Sequence, residues 1–447
     1  MEAVLIGFML VGANAYKSFI GDIMVNKDML SLGQKRSAIR ELFEQGKILK
    51  EKYGNDNVFD FSIGNPSVPC PEFLNKALKN IITISETIQK DDNLNNIDLS
   101  MDNYNNDYAY RKLNCSDLHG YTSAAGDKKV RDAISSYLNK TYAANTSGDL
   151  IYMTTGAAAA LSITLRALSM SNGYDEVIVL APFFPEYSVF IKNANANVVP
   201  IAPDLNTFYP DMNDFENKIS KNTSAVIINS PNNPTGVYYN ENTIKSICAI
   251  LDRKQKEFNH PIYLISDEPY RELLYTYDKY NFITNFYNNA IITYSFSKSL
   301  SIPGERIGYI LVNPKCENAS EVFAAICGAG RSLGYVCATS LFQFLIPHCL
   351  GLTSDTSIYK RNAETLYNEL STIGYKVIKP DGAFYLFVKC PIDDDNAFSK
   401  KALEYNLLIV PSESFGIKGY VRIATCVEEK TVLASISKFK ELFNFYK

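Results

Sequence analysis

Short apolar runs separated by longer mixed segments dominate the middle of the chain. They fall at residues 151–154, 176–180, 198–201, 225–229, 262–265, 290–294 and 306–312. Runs of four to seven residues with little polar alternation read as strands buried on both faces. The segments between them carry helical signals, as in the alanine-rich stretch 157–169 and the stretch after Pro185. Strands alternating with helices predict an α/β fold, with a mostly parallel seven-stranded sheet between helix layers. Such sheets take ligands beyond the carboxyl ends of their strands, so candidate chemistry is sought there.

The flanks read differently. Residues 27–53 are charged, with Ile39, Leu42, Phe43, Ile48 and Leu49 at helical spacing. A strand at 58–62 ends in the turn Ile63-Gly64-Asn65-Pro66, and 73–88 is a further helix. Residues 91–117 are rich in Asn, Asp and Tyr without periodicity, as an inserted surface loop would be. After residue 321 come long helices, then strands at 383–388, 407–410 and 420–424, then a last helix. The expected division is an N-terminal extension (1–26), a large α/β unit (71–320) and a smaller α+β unit (27–70 with 321–447).

Composition narrows the function classes. Hydrophobic residues make up 46% and charged residues 21%, as in a globular protein that buries a core. The net charge of -4, with no long basic run, argues against nucleic acid as a partner. Nine cysteines without a C-x-x-C pair, and only three histidines, argue against a metal site and suit reduced thiols in a cytoplasmic protein. Near the N-terminus, Ala3 to Val11 is apolar and Ala13-Asn14-Ala15 resembles a signal-cleavage site, but Glu2 stands where a positive residue is expected. The expectation is a plain extension, with a signal or anchor over residues 1–15 as the alternative. Later apolar runs are too short to cross a bilayer, so no membrane partner is expected.

Four segments leave a predicted strand carrying polar residues. Thr154-Thr155-Gly156-Ala157-Ala158 would free backbone N–H groups at a helix N-terminus, an anion site. Asn229-Ser230-Pro231-Asn232-Asn233-Pro234-Thr235-Gly236 is a rigid turn able to hold an amide in place. Ser266-Asp267-Glu268-Pro269-Tyr270 sets a carboxylate at a buried strand end, which is costly unless something cationic or protonated faces it. Ser295-Phe296-Ser297-Lys298, followed by Arg306, offers an amine whose pKa burial would lower, beside a hydroxyl and a fixed positive charge. The last segment also fits the S-x-x-K pattern of serine β-lactamases, but S-D-N and K-T-G are missing from the chain.

Taken in order, these segments resemble fold type I pyridoxal-phosphate enzymes. They are most similar to class I/II aminotransferases of the aspartate/alanine subgroup. Tyr121 in HGYTSAAG, Phe184 in APFFPEY, Gly382-Ala383-Phe384 and Tyr420-Val421-Arg422-Ile423 extend the likeness over about nine-tenths of the chain. The resemblance implies pyridoxal 5'-phosphate as cofactor, with Lys298 forming its aldimine, Asp267 facing the ring nitrogen, and Asn233 and Tyr270 bonding the ring oxygen. Phe184 would stack on the ring. Gly156, Ala157, Ala158, Ser295 and Arg306 would hold the phosphate, joined by Tyr121 from the other subunit of a homodimer. Arg422 and the backbone of Gly64 would bind the substrate carboxylate. The implied reaction is a ping-pong transfer of the amino group from an α-amino acid, aspartate or alanine, to a 2-oxo acid such as 2-oxoglutarate. A cysteine-conjugate β-lyase and a non-catalytic pyridoxal-phosphate-binding regulator are the alternatives. Arg111 and Arg331 are candidates for reading the substrate side chain.

Overall fold

The structure is a computed structural model that describes residues 25–34, 37–90, 115–169, 175–277 and 279–447. Most of the expected extension, and residues 91–114 of the expected insertion with Arg111, lie outside the described residues. Its strands are β1 (Phe59–Asp60), β2 (Ile151–Thr154), β3 (Glu176–Leu180), β4 (Asn197–Ile201), β5 (Thr223–Asn229), β6 (Tyr263–Asp267), β7 (Ala290–Ser295), β8 (Gly308–Val312), β9 (Val377–Ile378), β10 (Tyr385–Lys389), β11 (Leu407–Leu408), β12 (Val410–Pro411) and β13 (Tyr420–Ala424). Seven of them form one sheet in the order β2-β8-β7-β6-β5-β3-β4. Its pairings are parallel except those of β8, which runs antiparallel to β2 and β7. The expected seven-stranded, mostly parallel α/β sheet is therefore present.

The two-sided burial inferred from the apolar runs has a direct counterpart. All six residues of β7 are buried. Ala290, Ile292 and Tyr294 pack into one apolar cluster, while Ile291 packs into another with Ile163, Ile310 and Ile326. In β5, Val226 and Ile228 face the first cluster, and Ala225 and Ile227 face a third with Leu161 and Tyr187. Strand geometry sends successive side chains to opposite faces, so a continuous apolar run fills two cores at once.

A second, antiparallel sheet has the order β12-β13-β10-β9, and β1 pairs in parallel with β11. Helices Ser357–Ile373 and Glu429–Phe445 contribute Leu366, Leu370, Val432 and Phe439 to the core beside it. Helices Ala319–Leu333 and Ser340–Cys349 instead pack against the seven-stranded sheet, through Ile326 and Ala329 and through Phe344 and Leu345. No helix among the described residues is long and apolar enough to cross a membrane.

Three local expectations shift. The charged stretch 27–53 is two helices, Lys27–Gln34 and Ala38–Tyr53, and Ser37 caps the second by accepting from the Arg40 N–H. The strand expected at 306–312 begins at Gly308. Arg306 follows a 3-10 turn, Pro303–Glu305, with φ +49 in the left-handed region. Residues 115–117 of the expected loop begin a short helix, Cys115–His119.

Candidate active site

Two elements meet over the carboxyl end of the seven-stranded sheet: the loops that leave β2, β5, β6 and β7, and the inner strands of the smaller sheet. Between them lies a cavity of about 290 Å³. Its wall includes Lys298, Asp267, Asn233, Tyr270, Arg422 and Arg306, each named from the sequence. Gly64, Ala157, Ala158, Phe184 and Ser295 also line it.

Lys298 lies just past the end of β7. Its Nζ donates to the Gly64 carbonyl at 2.6 Å and stands 5.3 Å from the centre of the Phe384 ring. Burial lowers its pKa to about 8, with Arg306 and Arg422 pushing the same way and Cys426 opposing. A large share of this amine is therefore neutral at mildly alkaline pH, as a nucleophile or base must be.

Asp267 ends β6 and is 5% exposed. Burial raises its carboxyl to about 7, against hydrogen bonds that favour the anion. Those come from Tyr187 Oη, 2.6 Å from Oδ2, and Thr293 Oγ1, 3.3 Å from Oδ1. Asn229, at the end of β5, donates to the Asp267 carbonyl at 2.8 Å and accepts the Asn233 N–H at 2.7 Å. One amide thus ties the end of β6 to the turn that follows β5. Tyr270 Oη lies 3.1 Å from Tyr385 Oη, and burial holds the Tyr270 pKa far above its ordinary value.

Arg422, in β13, is 2% exposed. Nη1 donates to Asn233 Oδ1 at 3.0 Å and Nη2 to the Ser62 carbonyl at 2.6 Å. Its guanidinium lies 4.6 Å from the centre of the Tyr385 ring. Nε is buried without a hydrogen-bond partner among the described residues. With two of a guanidinium's five donors used, the group retains the capacity to grip a carboxylate.

Helix Ala157–Leu168 starts after Gly156, whose φ is +88. A Cβ on Gly156 would stand 2.7 Å from Arg306 Nη2, so glycine is needed for both the turn and the close approach. Arg306 is exposed and donates to the Pro303 carbonyl at 3.0 Å and Ser297 Oγ at 3.4 Å. Ser295 Oγ and Ser297 Oγ are 2.7 Å apart. Open helix N–H groups, two hydroxyls and a guanidinium form an anion cradle.

Two named residues stand apart from the cavity wall. Gly156 shapes the cradle from behind, and Tyr121 is 99% exposed. Arg331 is also exposed and is absent from the wall. Sequence reasoning passed over Tyr187, Asn229, Ser297 and Tyr385, although each lies within or beside a quoted motif. A Cβ on Gly64 would collide with Tyr385 Oη, which ties that glycine to that tyrosine.

Comparisons with known proteins concern the sequence and fold of the chain as a whole. The family model described as aminotransferase class I and II matches residues 58–439. An amino transferase from Eubacterium rectale is 47% identical in sequence and superposes with a TM-score of 0.86, over 95% of this chain and 100% of that one. An aspartate aminotransferase from Thermotoga maritima is 29% identical over 331 residues, 72% of this chain and 83% of that protein. A probable N-acetyl-LL-diaminopimelate aminotransferase from Bacillus subtilis is 30% identical over 346 residues, 75% of this chain and 84% of that protein.

Proposed function

Since the chain belongs to the class I and II aminotransferases, we propose that Lys298, Asp267 and Arg422 are, respectively, its cofactor lysine, its ring-nitrogen partner and its substrate-carboxylate anchor. The protein is an enzyme, a pyridoxal-phosphate-dependent transaminase. The residues present fit that cofactor. A cradle for a phosphate, a carboxyl at the end of a buried strand and a guanidinium with spare donors all line the one cavity.

When bound, pyridoxal phosphate supplies a ring that accepts electron density from the substrate Cα. Ala157 and Ala158 N–H groups, Ser295, Ser297 and Arg306 would hold its phosphate. Asp267, whose anion the Tyr187 and Thr293 hydroxyls favour against the effect of burial, would face the ring nitrogen and hold its proton. Asn233 has its Oδ1 engaged by Arg422, so its Nδ2 is left to donate to the ring oxygen beside Tyr270. Phe184, on the cavity wall, would cover one face of the ring. Arg422 and the Gly64 backbone orient the amino acid by its carboxylate. The Lys298 amine, neutral in good part near pH 8, takes the proton from Cα at its Nζ and returns it during the transfer.

The observation that carries this reading is the convergence of Lys298, Asp267 and Arg422 on one cavity wall. Lys298→Ala should abolish turnover and the visible absorbance of lysine-bound cofactor. Normal transamination by that variant would sink the assignment.

The name aspartate aminotransferase, borne by relatives from Thermotoga maritima and Pyrococcus horikoshii, supports aspartate as amino donor, while alanine as donor and 2-oxoglutarate as acceptor rest on the sequence resemblance alone. A donor panel tests this. The nearly complete exposure of Tyr121 supports a homodimer in which it reaches the partner's phosphate cradle. A fully active monomer in sedimentation would remove that part. For the domain division, helices Ala319–Leu333 and Ser340–Cys349 support a second crossing between units near residue 350 rather than 321, which limited proteolysis can test. The free thiols support a cytoplasmic location, open to cell fractionation.

A further inference from the structure

Four successive carbonyls, from Phe61 to Gly64, are each taken by a donor. Phe61 O accepts the Ala424 N–H at 3.0 Å. Ser62 O accepts Arg422 Nη2 at 2.6 Å. Ile63 O accepts the Cys426 thiol at 3.7 Å, and the Asn65 N–H faces the same sulfur. Gly64 O accepts Lys298 Nζ at 2.6 Å. The first three donors are residues 422, 424 and 426, so the end of β13 holds the turn on which the lysine amine rests. Further on, Tyr359 Oη accepts the N–H groups of Ser67 and Val68 at 3.0 and 3.2 Å.

We propose that Cys426 is a positioning residue for Lys298: its thiol holds the Ile63–Asn65 turn, and through it the Gly64 carbonyl to which the amine donates. The proposal rests on reading Lys298 as the cofactor lysine. Burial pushes the Cys426 thiol up to about 12, so it is neutral where Lys298 titrates; its thiolate opposes the lowering of the Lys298 pKa only at higher pH, and the action proposed is through the turn it holds. The Gly64 carbonyl favours the ammonium form of Lys298, because a hydrogen bond to a charged group is stronger than one to a neutral group. A turn that drifts gives up part of that bond, and the amine then loses its proton at lower pH. The other groups facing the amine are Arg306 and Arg422, Asp267 and Tyr270 at the end of β6, Tyr187, and Tyr385 on β10. All of them keep their identity when only Cys426 is changed.

The test measures the pH dependence of Lys298 acetylation by acetic anhydride, followed by mass spectrometry on the full-length chain without cofactor. Cys426→Ala should lower the midpoint by about 0.5 to 1 pH unit, raising labelling at pH 7 roughly three- to fivefold from a parent midpoint near 8. Cys426→Ser, which keeps a donor and an acceptor, should stay close to the parent. Cys426→Val fills the volume without a donor and carries the same arm if the alanine variant is unstable. An unchanged midpoint in the non-donor variants, or an equal shift in Cys426→Ser, overturns the proposal. Pyridoxal phosphate should protect Lys298 of the parent from labelling. Absence of that protection would instead overturn the assignment of the lysine itself.

Discussion

Asp267 carries a charge that the protein alone does not neutralise, and this makes a sharp prediction. Its ordinary value is 3.8, and burial lifts it to about 7 in the chain without cofactor. Between roughly pH 4 and 7 the folded chain holds a proton that the unfolded chain has lost. The associated stability is therefore fully present below about pH 4 and is lost as pH rises through 7. About three pKa units at about 1.4 kcal/mol each amount to on the order of 4 kcal/mol. Water entry and relaxation around the unpaired charge should cut this to about 2 kcal/mol. Asp267→Asn removes the charge and keeps the shape. Its amide oxygen accepts from Tyr187 Oη, and its N–H₂ faces Thr293 Oγ1. Without cofactor, the variant should be more stable than the parent by about 2 kcal/mol at pH 7.5, with the gap closing toward pH 4. Urea denaturation at fixed protein concentration, from pH 4.5 to 7.5, measures it. Lys298 is protonated in both proteins through most of this window, so it cancels in the difference. With pyridoxal phosphate bound, the sign should reverse, because the anion then has its cation. The variant should lose on the order of 100-fold or more in turnover. Parallel stability curves for parent and variant would refute the reasoning.

Two further substitutions probe the frame around the site. Gly156→Ala puts a side chain at φ +88 and a Cβ 2.7 Å from Arg306 Nη2, so cofactor affinity should fall roughly tenfold or more, read by absorbance titration. Affinity equal to the parent's would mean that Arg306 is not needed where it stands. Arg271→Met leaves Glu268 without its ion-pair partner in a buried setting and should cost about 3–5 kcal/mol in denaturant unfolding. Adding Glu268→Gln should recover part of the loss, and a single variant as stable as the parent would contradict the burial argument.

The strand ends were legible because chemistry and burial change abruptly there. An apolar run that stops at Asn229, Asp267 or Ser295 marks the sheet edge and the first polar group beyond it. Helix Lys128–Tyr142 was also readable and was passed over. Asp127 caps it by accepting from the Lys129 and Val130 N–H groups, and Val130, Ile134 and Leu138 recur at four-residue spacing, but most of its other positions are polar. Tyr187 and Tyr385 were harder. Their partners, Asp267 and Tyr270, are 80 and 115 residues away, so local pattern carries no sign of the pairing. The same holds for Cys426, whose thiol meets a carbonyl 363 residues earlier. The break at Ser37 was hidden by charged residues whose spacing suits one helix or two.

A buried charged cluster explains how segments so far apart are kept in register. Arg271 follows Tyr270, and its Nη2 meets Glu268 Oε2 at 2.7 Å. Both of its terminal nitrogens donate to Tyr309 Oη at 3.2 Å, and the rings of Tyr142, Phe282 and Tyr294 surround it. Tyr294 Oη in turn donates to Glu272 Oε1 at 2.9 Å and lies 3.0 Å from Ser299 Oγ, the residue after Lys298. One cluster thus grips the segment that carries Asp267 and Tyr270 and the turn that carries Lys298. Buried ion pairs seldom add net stability over a well-packed apolar replacement. The physical argument for this one is position: it fixes the Asp267–Tyr270 segment and the Lys298 turn relative to each other. A fully apolar repacking of Glu268, Arg271 and Glu272 that keeps the melting temperature should therefore still lower kcat while cofactor remains bound. Unchanged kcat in such a repacked protein would show that the sheet alone sets the register.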